Sequence, residues 1–412
     1  MTTPALVDID DIRAAAERIA PLVQTTPMEE SRAISSMVGA RVLLKCEHLQ
    51  RTGSFKIRGA ANRIACLSEA ERAAGVVCAS AGNHAQGVAL SATRMGVEST
   101  VFMPADAPLP KVEATRGYGA RVVLTGSNFD EALAAARTHC EEVGATFVPP
   151  FDHADVIAGQ GTLGLEMLAQ APDMAQVLVP IGGGGLVAGI AAAIKATAPH
   201  VRVIGVEPAG AASTRASLDA GHPVTLDSVS TIADGIAVKR PGELTLAHIE
   251  QLVDDVVTVS DEAIARAILL LVERAKQVVE PAGAAGLAAL LDGAVETREP
   301  TVALLCGGNV DPLLLNRIIQ SGMYEEGRYL VVTTRVGDQP GVLATLLTLL
   351  AEQRANVIGI EHHRLNTKLG VQEVEVQIEM ETRGHDHIHL LVEKLEEAGY
   401  PVEAELPPGA LA

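Results

Sequence analysis

Residues 177–196 read VLVPIGGGGLVAGIAAAIKA. A β-rich apolar run ends in four consecutive glycines, and a long apolar, Ala-rich segment follows, the pattern of a strand, a tight turn and a helix. Without side chains, the backbone N–H groups of Gly182, Gly183, Gly184 and Gly185 can converge on an anion where the helix begins, and the helix dipole favours a phosphate there. The alternative is a flexible linker, against which the apolar flanks VLVPI and LVAGIAAAIKA argue. The dinucleotide fingerprint is also excluded: it needs G-x-G-x-x-G and an acid about twenty residues on, whereas the next strand end here offers Glu207-Pro208. The uncharged stretch Met174–Ile194 is long enough to span a bilayer by count, but Pro180 and the glycines would break a spanning helix. The turn does not by itself name its ligand.

Outward from this segment, β-rich runs alternate with helical ones, the pattern of an α/β fold with parallel sheets. Arg41–Glu47, Gly75–Ala79, Ser99–Met103, Arg121–Thr125, Val177–Pro180, Val201–Val206 and Thr301–Leu305 read as strands. Ser68 with Glu71, and Asn128 with Glu131, have the spacing of a helix-starting capping box or its Asn analogue. A long helix is expected after Ser260, with Asp261 and Glu262 in its first turn. Near GMYEEGR (322–328) the pattern changes. Strand (Tyr329–Arg335), turn (GDQPG), helix (Val342–Arg354), two strands (Val357–Arg364, Val371–Glu379), helix (Ile388–Ala398) and strand (Pro401–Glu405) make a βαββαβ order, the ferredoxin-like arrangement.

A chain of 412 residues is long enough for two or three domains. Its 48% apolar and 20% charged residues are a globular composition, and with 2% aromatics and no Trp the core must be built from Ala, Val, Leu and Ile. The formal charge of −19 excludes nucleic acid and anionic membrane surfaces as partners, though not a small anion at a local site. Five cysteines without metal-ligand spacing indicate free thiols in a reducing compartment. The N-terminus carries acids early and has no apolar h-region, so a cytoplasmic protein is expected.

Two further Gly-rich strand-to-helix turns, Ser80–Gly87 (SAGNHAQG) and Cys306–Asn309 (CGGN), belong at the carboxyl ends of strands, where ligands bind in parallel sheets. Lys56 lies in TGSFKIRGA just after a strand. Most lysines are solvated. A catalytic one needs an uncharged amine, through desolvation or a cationic neighbour, and Arg58 is close in sequence.

The set SFKIRGA (54–60), SAGNHAQG (80–87), AGQGT (158–162), GGGGL (182–186), ADGIAVKRPGELT (233–245) and CGGN (306–309) resembles the serine/threonine dehydratases, pyridoxal-phosphate enzymes of the tryptophan-synthase-β fold type (fold type II). The match runs over nearly all of residues 5–322. The tail, with DQPGVLATLLTLLAEQRANVIGI (338–360), resembles an ACT or ACT-like regulatory domain, so the whole is similar to the threonine dehydratases (threonine ammonia-lyases) with one such domain. The resemblance implies a catalytic domain over 1–322, with a smaller subdomain over about 50–150, and a regulatory domain over 328–405.

It also implies roles. Lys56 would carry the cofactor covalently and act as the base for the substrate's α-proton. Asn83 would bond the ring's phenolic oxygen. Gly182–Gly185 with Leu186 would hold the phosphate. Cys306 would stand beside the pyridine nitrogen, where the family has Ser more often. Ser80, Gly82 and His84 would receive the substrate carboxylate. Serine racemases carry Ser immediately before this Gly-Asn-His, where Ala81 stands here, and that disfavours two-base racemisation. Some relatives bind a divalent cation through a strand-end Glu and a later Asp. Glu207 is present but Pro208–Ser213 has no acid, so no metal is expected and Glu207 reads as a strand-end surface group.

The resemblance implies an amino acid substrate, threonine before serine, and an isoleucine effector opposed by valine. Gly341 and Asn356 are the candidate effector residues, and a homo-oligomer, dimer or tetramer, is expected. Serine dehydratase, serine racemase and a non-catalytic amino-acid sensor are the alternatives.

Overall fold

Short runs rich in Val, Leu and Ile form the parallel strands on which the site is built. The computed structural model describes residues 5–364 and 372–404. Val371 and Glu405, the expected outer ends of two strands in the tail, lie outside the described residues. The chain divides into two units, Met1–Asp311 and Pro312–Ala412. The helix Pro312–Glu325 therefore falls in the second unit, ahead of the boundary at 322 expected from the sequence.

The first unit holds two sheets. In the larger the strand order is Met28–Glu30, Val42–Lys45, Thr301–Leu304, Gln176–Pro180, Arg202–Pro208, Asp255–Val259, parallel except for the antiparallel first strand. The smaller is all parallel, in the order Arg121–Leu124, Ser99–Met103, Val76–Ala79, Thr146–Phe147. Each sheet has its own apolar core. Val177, Val179, Ile190, Val203 and Leu304 centre the first, and Ile64, Val76, Val88, Val101 and Met103 the second.

Three short edge or margin strands are not legible in the sequence: Met28–Glu30, Thr146–Phe147 and Asp255–Val259. Their brevity or mixed polar content hides the period of two that marks a half-buried strand. The helix starts are clearer. Ser68 and Glu71 form the full capping box. Asn128 accepts from the Glu131 N–H, but the Glu131 carboxylate returns to the N–H of Ser127 instead. Ser260 caps the helix Asp261–Leu270, which ends in a π-turn, Leu271–Ala275.

Glycines let the helices of this Ala-rich unit approach closely. A Cβ on Gly189 would stand 2.3 Å from the carbonyl oxygen of Ile157 and 2.5 Å from the nitrogen of Gly161. The AGQGT segment is thus a helix-crossing surface of Ala154–Gln170, with Gly159 facing the backbone of Arg58 on the helix that begins at Lys56.

The second unit has one antiparallel sheet, in the order Asn356–His363, Glu373–Glu381, Tyr329–Gly337, Val402–Ala404. The helices Val342–Glu352 and His385–Glu397 bury Leu346, Leu350, Ile388, Leu391 and Leu395 against Leu330, Val332, Val376 and Ile378. Among the described residues no helix is long and apolar enough to cross a membrane. The segment 174–194 is a strand and a helix joined by the glycine turn.

Candidate active site

The strand Val42–Lys45 leads, through Ser54, to the helix Lys56–Ala65, and Ser54 bridges to Gly307 after the strand Thr301–Leu304. CGGN therefore links the strand Thr301–Leu304 to the helix Pro312–Glu325, as expected for a strand-to-helix turn, and is tied back to the Lys56 segment. The N–H of Phe55 donates to Cys306 O (3.1 Å), and Asn309 Nδ2 donates to Thr52 O and Asn83 Oδ1, both at 2.8 Å. Three of the sequence-predicted segments meet here.

Lys56 Nζ donates to Pro150 O (3.1 Å) and lies 5.2 Å from the centre of the Phe55 ring. Burial lowers its ammonium to about 8, against the opposing charges of Cys306 and Glu280. Arg58 is not the cause. Its guanidinium points away, to Glu47, Thr162 and Glu166, in a buried quartet completed by Lys45. Desolvation, not a cationic neighbour, brings the amine towards its neutral form.

Asn83 opens the helix Asn83–Arg94, with its Nδ2 donating to Glu280 Oε1 (2.7 Å). Glu280 is a site residue that the sequence motifs do not single out. It sits at the start of the helix Pro281–Leu291, 5% exposed, and burial first and the charge of Asp234 second push it up to about 7. It is the sole charged residue between Lys276 and Asp292 in sequence, and an isolated acid in an apolar run is the signal that could have found it. Pairing with Glu280 and Asn309 fixes the Asn83 amide and leaves one of its two N–H hydrogens for a ligand.

The four glycines are required by close approach. A Cβ on Gly183 would stand 2.2 Å from the Phe151 ring, one on Gly184 2.9 Å from Thr245, one on Gly185 3.0 Å from the Phe151 backbone, and one on Gly182 3.0 Å from Ile236. Gly184, at φ +90°, caps the helix Gly185–Thr197, and Leu186 is buried behind it. The ADGIAVKRPGELT segment wraps this turn, and Thr245 Oγ1 donates to Gly183 O (2.7 Å).

Cys306 is buried, its Sγ 3.6 Å from Ala282 O, and burial pushes its thiol up. Ser80 Oγ accepts from the N–H of Gly82 (3.1 Å), and Gly82 has open space where a Cβ would be. The His84 side chain is turned into the core, which leaves only its backbone N–H, in the first turn of the helix Asn83–Arg94, for a substrate carboxylate. His84 is 4% exposed, its Nε2 is bonded to Val148 O (2.9 Å), and burial with the charge of Lys56 lowers it to about 3, so it is a neutral packed imidazole. Glu207 is likewise no surface group. It is fully buried, accepts from the N–H groups of Thr214 and Arg215 (2.8 Å each), and burial pushes it up to about 6. Among the described residues no group of three or more His, Cys, Asp or Glu could hold a metal.

The family model described as "Pyridoxal-phosphate dependent enzyme" matches residues 19–307, and the ACT domain model matches 330–399. The L-threonine ammonia-lyase of Geobacter sulfurreducens is 51% identical over 393 residues, 95% of this chain and 98% of that one. That of Thermotoga maritima is 45% identical, covering 96% and 99%. The chain belongs to the threonine ammonia-lyase family of pyridoxal-phosphate-dependent enzymes. Among solved structures, maize serine racemase superposes with a TM-score of 0.73 at 40% identity, over 76% of this chain and 97% of that one. The processed form of threonine deaminase isoform 2 from Solanum lycopersicum gives 0.72 at 39%, over 77% and 95%.

The residues fit the family's cofactor. Lys56 offers an amine partly freed of its proton, Asn83 a spare N–H, and the glycine turn a helix N-terminus with no side-chain cap, where a phosphate is favoured. The lowered amine makes cofactor capture pH-dependent in a defined sense. The nucleophile is the neutral amine, so uptake of pyridoxal phosphate by the apo protein should rise about tenfold per pH unit below about 8 and level off above it. Stopped-flow absorbance reads this directly. A rate still rising beyond about pH 9.5 would mean an ordinary solvated lysine.

In the ACT unit, Val336–Gly341, Leu343, His362, Arg364 and Val374 line a pocket of about 310 Å³. Gly341, at φ +94°, caps the helix Val342–Glu352 there, and Arg364 pairs with Asp338 (3.2 Å). Asn356 is not part of it. It starts the strand whose other end supplies His362, and its amide donates to Glu381 (2.8 Å).

Proposed function

We propose that this chain deaminates L-threonine to 2-oxobutanoate and ammonia, with L-serine to pyruvate as the slower reaction. The carrying observation is geometric: Lys56 Nζ is held on Pro150 O, the next residue Phe151 packs on Gly183 and Gly185, and Asn83 is fixed by Glu280 and Asn309 beside the Lys56 segment. The 51% identity to an L-threonine ammonia-lyase over 95% of the chain supports the substrate.

When bound, pyridoxal phosphate supplies the electron sink for the pair left as the substrate's α-proton departs. Gly182–Gly185 and Leu186 would hold its phosphate through backbone N–H groups, and Asn83, steadied by Glu280 and Asn309, would hold its ring oxygen. Lys56 Nζ takes the α-proton, and Pro150 O orients the resulting ammonium. Ser80 and Gly82, at the start of the helix Asn83–Arg94, receive the substrate carboxylate. Cys306, whose Sγ donates to Ala282 O, would stand beside the ring nitrogen, where a thiol supplies no carboxylate. Glu280, the carboxylate that does enter the site, is bonded to Asn83.

The likeness to maize serine racemase raises a second reading, serine racemisation. Ala81 speaks against it, because a second-face base needs a hydroxyl that Ala81 lacks. A side-by-side assay of 2-oxobutanoate, pyruvate and D-serine tests both: faster pyruvate than 2-oxobutanoate, or ready D-serine formation, overturns the assignment.

The ACT pocket fits a small effector, since about 310 Å³ lies at the low end of ligand pockets. Isoleucine as inhibitor, opposed by valine, fits an enzyme feeding isoleucine synthesis, and Arg364 offers its carboxylate a cation. Isoleucine is expected to shift apparent threonine affinity about 5- to 150-fold, and Arg364→Ala to remove most of the shift. Threonine saturation curves unchanged by isoleucine and valine, with no calorimetric binding of either, would leave the ACT unit a structural role. The catalytic and ACT assignments fit a cytoplasmic homo-oligomer, a dimer or tetramer.

A further inference from the structure

Residues 148–152, VPPFD, join the last strand of the smaller sheet to the helix Ala154–Gln170, and successive residues touch different parts of the site. Val148 O is bonded to His84 Nε2 (2.9 Å) and Pro150 O accepts from Lys56 Nζ (3.1 Å). The Phe151 ring packs where Gly183 lacks a side chain, and its backbone where Gly185 does. Asp152 then closes the N-terminus of the helix Glu243–Leu252. Its Oδ1 accepts from the N–H groups of Leu244 (3.0 Å) and Thr245 (3.1 Å), and its Oδ2 from that of Glu243 (3.1 Å). Gly242 is required for this approach, since a Cβ there would stand 2.3 Å from the Asp152 carboxylate.

Two helix N-termini therefore border the glycine turn. One, at Glu243, is already neutralised by a carboxylate, and the other, at Gly185, is capped by a glycine without a side-chain partner. An anion is favoured at the second alone. Thr245, fixed by Asp152, in turn fixes the turn itself: its Oγ1 donates to Gly183 O (2.7 Å) and its side chain lies against Gly184. Pro149 and Pro150 restrict the backbone ahead of Phe151, so the amine-holding carbonyl and the ring that shapes the cup are consecutive on a stiff segment.

We infer that residues 148–152 form a positioning strap that sets the Lys56 amine and the phosphate cup relative to each other, with Asp152 as the positioning residue for the cup. The inference rests on the pyridoxal-phosphate reading and adds a dependence of phosphate recognition on a carboxylate acting through Thr245 and Gly242.

The test separates the phosphate from the rest of the cofactor. Apo wild type, Asp152→Asn and Asp152→Ala are titrated with pyridoxal phosphate and with pyridoxal, which lacks the phosphate, following cofactor absorbance, and their thermal melting is compared. Asp152→Ala should weaken pyridoxal phosphate about 10- to 100-fold, the scale of losing hydrogen bonds to a charged acceptor. Pyridoxal should weaken by less than about threefold, because Lys56 and Asn83 are untouched. Asp152→Asn keeps an acceptor oxygen without the charge and should fall between, which also covers the case in which the alanine variant does not fold. Equal losses for both ligands, or no loss for either, overturn the strap while leaving the cofactor reading intact. Failure of wild type to bind pyridoxal phosphate would overturn that reading instead.

Discussion

Lys56→Ala should lower turnover by about 10⁴-fold or more, because the variant loses both the cofactor's covalent anchor and the base for the α-proton. The amines of Lys45 and Lys111 are committed elsewhere. Lys45 Nζ donates to Thr26 O, Glu166 and Gln170, and Lys111 Nζ to Asp234. Lys56→Arg should be equally inactive, since a guanidinium does not lose its proton near pH 8. The check is 2-oxobutanoate release, paired with borohydride reduction of the wild-type holoenzyme and peptide mapping. The pyridoxyl group is expected on Lys56, and its recovery on another lysine would remove Lys56 from the role.

The second large effect falls on stability. Lys45 and Glu47 are 0% exposed and Arg58 1%, and Glu166 joins them at 2.5 Å from Lys45 Nζ and 2.8 Å from Arg58. Burial alone would raise the Glu166 carboxyl, but Arg58 and Lys45 outweigh it and hold it below the usual carboxylate range. Two cations and two anions balance, and each carboxylate is bonded. Arg58→Met leaves two buried carboxylates to one lysine, an uncompensated charge that costs about 3–5 kcal/mol. Urea unfolding should show that loss at neutral pH.

The pH dependence has a definite sign. In the variant the unpaired carboxylate's folded-state pKa rises above its unfolded value. The deficit is then fully present above the raised pKa and shrinks as pH falls towards about 4 to 5, where the unfolded-state carboxyl titrates. Arg58→Lys should recover only part, because one ammonium cannot reproduce the fork to Glu47 and Glu166. A deficit below about 1 kcal/mol would show that the quartet behaves like an exposed ion pair. The quartet joins the end of the strand Val42–Lys45, the Lys56 helix and the helix Ala154–Gln170, so its loss is also expected to loosen the base on which Lys56 stands.

What the sequence determined by itself was what nearest neighbours along the chain encode. Alternating β-rich and helical runs indicated parallel sheets, which the antiparallel edge strand Met28–Glu30 escapes, and the βαββαβ order gave the ACT sheet, because periods of 2 and 3.6 are local properties. The glycine turn at 182–185 and the Lys56 segment were legible for the same reason, each being one motif on one strand end. Tertiary structure alone decided how distant residues combine. Asn83 meets Glu280 across 197 positions, Lys56 meets Pro150 across 94, and Thr245 meets Asp152 across 93. Such pairs are set by which strand ends the sheet order brings together, and no local period carries that information.

Burial likewise could not be read from residue type. His84 and Glu207, polar residues beside candidate turns, proved to be packed and bonded inside the core. Asn356 lies apart from the pocket of Gly341 for a geometric reason that distance along the chain conceals. Gly341 and Asn356 flank the same helix, but at opposite ends, and at 1.5 Å per residue the 11 residues of Val342–Glu352 hold them about 16 Å or more apart. The residues that do share the pocket with Gly341, His362 and Arg364, arrive from the far end of the next strand, because that strand runs back along the helix.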